Sequence, residues 1–160
     1  MQVWVIDTSS VVELRNVPRD ARDRVLSALD RMVDNDVLYY PPEVVAEVER
    51  VFDVGHAWAK KNAVKATRYG HLFDAAKTVL AAIPNLIDPT KVSAVDEADP
   101  YVIALAQLLA GVHGHTPTII TDDYRTKPAK MSLSDAAGVF RFPSVQLSVF
   151  LQTQKIWPQA

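Results

Sequence analysis

Carboxylates recur in this sequence at positions that a parallel α/β fold would gather. Asp7 directly follows the apolar run Val3-Trp4-Val5-Ile6, and Asp122-Asp123 follow Thr118-Ile119-Ile120-Thr121. Asp99 precedes Pro100 at the start of an apolar helical pattern, and Glu47 lies one turn beyond Glu43 in another. In open parallel sheets the carboxyl ends of the strands and the starts of the helices form the ligand-binding crevice, so these acids can converge at one edge. Clustered carboxylates repel one another and cost stability unless something neutralises them. Magnesium and manganese are hard cations that take oxygen ligands, and they commonly combine a few carboxylates with waters and substrate phosphate. Metals held in this way activate water and stabilise the leaving oxygen in phosphodiester cleavage. Ser9, two residues after Asp7, can hydrogen-bond a carboxylate or a metal-bound water. Arg125, Lys127 and Lys130 follow the acidic pair and are placed to touch phosphate.

Each acid also has a purely structural reading. Asp99 suits a helix N-cap, Asp122-Asp123 an ordinary turn, and Glu47 an exposed helix position. Asp7 resists this most, because an acid abutting a buried strand needs compensation. The argument for a metal site lies in the combination.

The elements that must position these residues alternate between strand and helix. Strands are expected at Val3–Ile6, Val37–Tyr40, Leu86-Ile87, Thr118–Thr121 and Val139–Phe142, the first being β-branched and apolar enough to be buried on both faces. Val11, Val12 and Leu14 suggest a helical turn ending before Pro18, and Val25, Leu26, Leu29 and Val33 mark one face of a helix over Arg19–Asp34. The charged remainder of that helix, Asp30 included, reads as a solvated face. Pro42 can open the helix that continues from Glu43. The stretch from Phe52 to Ile83 looks like two helices, broken near Gly55 and Gly70, and Pro84 to Val95 like a loop holding the short strand at Leu86-Ile87. A helix from Asp99-Pro100 to Gly111 or Gly114, another near Ser132–Ala137, and a last from Pro143 to about Gln152 complete the pattern. Alternation of this kind predicts a parallel sheet covered on both faces.

The 160 residues fit one domain spanning 1–160, and no repeat or linker divides them. With 17 basic and 19 acidic residues, the body carries no general attraction for nucleic acid, so any such contact must come from a local patch. Lys60, Lys61, Lys65, Arg68 and Lys77, near Trp58, Tyr69 and Phe73, are such a patch or else an exposed amphipathic helix pair. The absence of cysteine removes disulfides, zinc–thiolate sites and thiol nucleophiles, and suits a reducing compartment. The start Met1–Asp7 lacks the pattern of a signal peptide, and no apolar run approaches the ~20 residues that span a bilayer; a cytoplasmic protein is expected. His113-Gly114-His115 reads as a polar loop, not a metal site.

The same segments resemble the PIN-domain family, and within it the VapC-like toxin ribonucleases. Val5-Ile6-Asp7-Thr8-Ser9 looks like the family's opening strand with its metal-binding Asp. Pro42-Glu43-Val44-Val45-Ala46-Glu47-Val48 resembles the second motif, whose ligand Glu maps to Glu47. Ala98-Asp99-Pro100-Tyr101-Val102-Ile103-Ala104-Leu105-Ala106 looks like the third, and Ile119-Ile120-Thr121-Asp122-Asp123 like the fourth. There the family acid falls two residues after the Thr, which favours Asp123, with Asp122 serving instead or as well. The resemblance covers nearly the whole chain. It implies a three-layer α/β/α PIN-like fold with a central, mostly parallel sheet. It also implies an endoribonuclease using Mg2+ or Mn2+ held by Asp7, Glu47, Asp99 and Asp123, with Asp122. A metal-bound water would attack the RNA phosphate, Ser9, Arg125 and Lys127 would contact substrate, and a cognate antitoxin protein and a homodimer would be the partners. The non-catalytic alternative is an RNA- or protein-binding module that keeps the fold. Trp4, Val11, Val12 and the Phe52–Trp58 region are candidates for a partner-binding groove, or equally for core.

Overall fold

The computed structural model describes residues 1–88 and 97–158. Strands β1 (Gln2–Ile6), β2 (Leu38–Tyr39), β3 (Thr116–Ile120) and β4 (Ser144–Val145) form one sheet in the order β2-β1-β3-β4, with every pairing parallel. Helices flank this sheet, in agreement with a three-layer α/β/α architecture. Side chains alternate across a strand, so Val3 and Val5 face one layer and Trp4 and Ile6 the other. Val3, Val5 and Ile6 are fully buried, and the Trp4 ring meets Phe150 edge-on at 5.5 Å. That contact seats α9 (Leu147–Thr153) on the sheet, while α7 (Asp99–Gly111) packs on β1 and β3. The edge strands have two residues each, which leaves little unpaired backbone to attract another chain.

After β1 the chain forms α1 (Thr8–Glu13), a single 3-10 turn and α2 (Arg19–Asp34), with Val25, Leu29 and Val33 buried as the pattern required. Asp30 corrects the expectation of a wholly solvated outer face. It accepts hydrogen bonds from Trp58 Nε1 (3.1 Å), Lys61 Nζ (2.8 Å) and Asn62 Nδ2 (2.9 Å). Burial opposes its charge, but these donors outweigh burial and hold the carboxyl below its ordinary value. The 52–83 stretch contains three helices instead of two: α4 (Val54–Lys61), α5 (Ala63–Ala66) and α6 (Phe73–Ala82). Gly55 lies within α4, where it permits a close approach to α1: a Cβ there would stand 2.4 Å from the Val11 carbonyl oxygen. α3 (Pro42–Val48) follows β2 and packs on both α1 and α4.

Two expected strands are replaced by other structure. Leu86 belongs to a 3-10 turn over Pro84–Leu86, where its buried side chain anchors the turn instead of pairing in the sheet; the rest of the expected loop beyond residue 88 lies outside the described residues. Val139–Phe142 is not a strand, because α8 (Leu133–Val139) takes its first residue and a turn at Phe140-Arg141 follows. Arg141 then adopts a left-handed conformation (φ 64°), and the N–H of Phe142 donates to the Ala137 carbonyl at 2.8 Å. This is the chain reversal that closes helix C-termini, and β4 follows it. Short segments of this kind do not fix their own conformation, and here tertiary context set a helix end and a turn. The last helix accordingly starts at Leu147.

The expected partner groove is mostly core: Val11 and Trp58 are buried and Trp4 packs on Phe150, leaving Phe52 as the exposed aromatic. Among the described residues no helix is long and apolar enough to cross a membrane.

Candidate functional site

The sheet order creates a switch point between β1 and β3, since the chain leaves β1 for β2 on one side and returns to β3 on the other. Such points are where open α/β sheets bind ligands, at the carboxyl ends of the strands. Ile6 pairs with Ile120, and the Asp7 N–H donates to the Ile120 carbonyl at 2.9 Å. Asp7 and Thr121 are thereby held side by side just past the last rung.

A hydroxyl network fixes Asp7. Its Oδ2 accepts from Ser9 Oγ (2.8 Å) and Thr121 Oγ1 (3.0 Å). Ser9 Oγ in turn accepts from the Asp122 N–H at 2.9 Å, and Thr121 Oγ1 from the Asp123 N–H at 3.1 Å. Ser9, expected to contact substrate, therefore braces the β1 and β3 loops against each other. The second oxygen, Asp7 Oδ1, is buried and, among the described residues, has no hydrogen-bond partner, in a residue only 2% exposed. Burial raises the Asp7 pKa above the ordinary 3.8, against the Ser9, Thr121 and Thr8 donors, and the Asp123 charge adds to the rise.

The other acids reach the same place from three elements. Glu47, on α3, accepts a short hydrogen bond from Thr8 Oγ1; burial raises its pKa, and the charges of Asp7 and Glu97 add to this against the Thr8 bond. Asp99 is not the expected N-cap. It sits inside the first turn of α7, its side chain caps nothing, and Ala98 holds the cap position. Burial, then the Asp7 charge, raises its pKa well above the ordinary value, with Glu47 adding to this and Lys130 opposing it. Asp123 accepts from the Leu133 N–H at 3.0 Å and faces Asp7.

The neighbouring Asp122 turns elsewhere. Its carboxylate accepts from Ser10 Oγ (2.6 Å) and more distantly from the Leu147 N–H (3.4 Å), and it borders a cleft of about 160 Å³ lined by Glu13, Val17, Leu151 and Trp157. Of the adjacent pair, Asp123 joins the cluster and Asp122 ties α1 to α9.

One participant, Glu97, is absent from the sequence-based expectations, and another, Lys130, takes a different role. Glu97 contributes charge at Glu47, and among the described residues its Oε2 is buried without a hydrogen-bond partner; its spacing two residues before Asp99 was the available signal. Lys130, expected to touch phosphate, instead reaches into the acids: its Nζ lies 2.7 Å from Asp99 Oδ2 and 3.4 Å from Asp123 Oδ2. Burial opposes its charge, yet Asp99 and Asp123 together hold its pKa above the ordinary 10.5. Among the described residues no three acidic or histidine side chains stand as a ready-made metal cage. Arg125 and Lys127 are exposed on the loop after Asp123. The basic stretch on α4–α6 is largely neutralised within the fold, with Lys61 on Asp30 (2.8 Å) and Arg68 and Lys65 on Asp36 (3.0 and 3.8 Å).

The raised carboxyl pKa values of Asp7, Glu47 and Asp99, with that of Asp122, set a pH dependence. Acids whose folded pKa is raised stabilise the fold fully below their unfolded values and lose that contribution as pH rises through the folded ones. For Asp7, Glu47 and Asp99 the window opens at 3.8–4.5 and extends upward. Asp30 acts oppositely, but below 3.8. In EDTA, the urea midpoint is therefore expected to be higher near about pH 5 than near about pH 8. A flat or rising profile across that interval would contradict the raised values that burial and the neighbouring charges impose.

An all-parallel α/β domain with buried acids at its switch point is the class that fold and site define. Within that class the chain belongs to the family described as Domain of unknown function (DUF4411), whose model matches residues 4–157. No curated protein and no solved structure matches the chain significantly.

Proposed function

We propose that the protein is a Mg2+- or Mn2+-dependent endoribonuclease whose metal ligands are Asp7, Glu47, Asp99 and Asp123. The observation that carries this reading is the buried Oδ1 of Asp7, unpartnered among carboxylates that converge at the switch point. A buried carboxylate oxygen with no donor is costly unless a cation meets it. The donor set is entirely oxygen, which suits hard divalent ions and not zinc or copper. When bound, such an ion supplies activation of water and neutralisation of phosphate charge. Ser9 and Thr121 hold one oxygen of Asp7 so that the other keeps its direction, and Thr8 does the same for Glu47. Arg125 and Lys127 offer exposed positive charge beside Asp123 for the RNA backbone.

The resemblance to VapC-like toxins extends the proposal to the toxin of a two-component pair, acting in the cytoplasm and held in check by a cognate antitoxin, with a homodimer as its assembly. Purified protein should cleave single-stranded RNA with Mg2+ or Mn2+ and stop in EDTA, and calorimetry should register Mn2+ binding. The ion pair of Lys130 with Asp99 and Asp123 favours one second reading, a non-catalytic binding module of the same fold. RNA binding with no Mn2+ uptake and no cleavage would establish that reading instead.

A further inference from the structure

We infer that Lys130 is a tethered cation that a divalent ion must displace, so that this one side chain sets the metal affinity of the site. The inference rests on the metal-site reading above and concerns a residue which that reading does not include. Lys130 Nζ bridges Asp99 and Asp123, which come from α7 and from the end of β3. The Lys130 side chain is three-quarters buried, and its ammonium also donates to the Met131 carbonyl at 3.3 Å. Its backbone is fixed as well: Lys127 and Lys130 exchange both backbone hydrogen bonds (2.8 and 3.1 Å), closing the loop that delivers the side chain. A lysine so placed lowers the repulsion among the acids without any metal. It also occupies the oxygens that a divalent ion needs.

The two cations therefore compete for Asp99 and Asp123. A bound metal would drive the ammonium off these oxygens, and the four-carbon stem lets it move without unfolding the loop. Removing the lysine should tighten metal binding and weaken the metal-free fold, two effects of opposite sign. A lysine that merely props the loop would lower both. One that helps bind the metal-loaded substrate would leave metal affinity unchanged.

Calorimetry with Mn2+ alone, on wild type and Lys130→Met, separates these cases. The variant is expected to bind Mn2+ about tenfold more tightly, with a lower Tm in EDTA that recovers in saturating Mn2+. Lys130→Arg and the remote Lys60→Met should bind as wild type does. Equal or weaker binding by Lys130→Met overturns this inference and leaves the metal site standing. No binding by either protein overturns both. A wild-type readout covers a variant that fails to fold: with lysine side chains isotopically labelled, the Lys130 ε signals should shift on adding Mg2+. Signals unmoved at saturation also overturn the inference.

Discussion

Asp7→Asn is expected to lower RNA cleavage by about 10³-fold or more while leaving the protein folded. The two halves of this expectation come from the same geometry. Asp7 Oδ2 already accepts from Ser9 and Thr121, and an asparagine carbonyl accepts both bonds equally well. The substitution therefore removes little structure. It replaces the unpartnered Oδ1 with an amide nitrogen, which cannot bind a cation. It also removes a charge that burial and Asp123 disfavour, so the Tm in EDTA should be unchanged or higher. Cleavage assays with and without Mn2+, beside thermal melts in EDTA, check both halves. A folded variant that cleaves at the wild-type rate would remove Asp7 from the chemistry. One that fails to fold would mean that its charge is satisfied by something not recognised above.

Gly55→Ala is expected to destabilise the fold by about 2–3 kcal/mol, although alanine is the better helix former. The intrinsic gain from replacing a helical glycine is roughly 1 kcal/mol. Against it stands a Cβ placed 2.4 Å from the Val11 carbonyl oxygen and 3.1 Å from its Cγ1. The nearest atom is backbone, so no rotamer change relieves the overlap and α4 must part from α1. Overpacking of this kind outweighs the propensity gain, and in a domain of this size Tm should fall by roughly 6–9 °C. Because α1 begins at Thr8, the movement also reaches Asp7 and the Thr8–Glu47 bond. Metal affinity should fall together with stability, which a substitution elsewhere in the core would not produce. A Tm within a degree of wild type would show that the two helices slide apart at little cost.

The fold was legible wherever hydrophobic period and length agreed. β1, β3, α2 and α7 carry long or strongly apolar patterns, and their positions follow from them. The misreadings fall on short segments. Val139–Phe142, interrupted by Arg141, and Leu86-Ile87 are short, largely apolar segments, and only tertiary context decides their conformation. In the site, the acids were visible because each stands at a boundary between elements. The choice between Asp122 and Asp123 was not. Adjacent residues differ only in which way the turn points them, and Ser10 and Leu133, from distant segments, supply the donors that decide it. Lys130 was noticed for its charge, but its direction depends on the Lys127–Lys130 turn, which no periodicity encodes.

The order of strands also dictates when the site can exist. β1 is synthesised first, yet it lies inside the sheet and pairs with β3, so Asp7 meets Thr121 across 114 residues of chain. At translation rates of about 5–20 residues per second, roughly 6–23 s pass between the emergence of the two halves. Throughout that interval Asp7 has neither its Thr121 hydroxyl donor nor Asp123 beside it. On the proposed reading, a nascent chain lacks the assembled site while it is still on the ribosome, and the four acids come together only as the sheet closes.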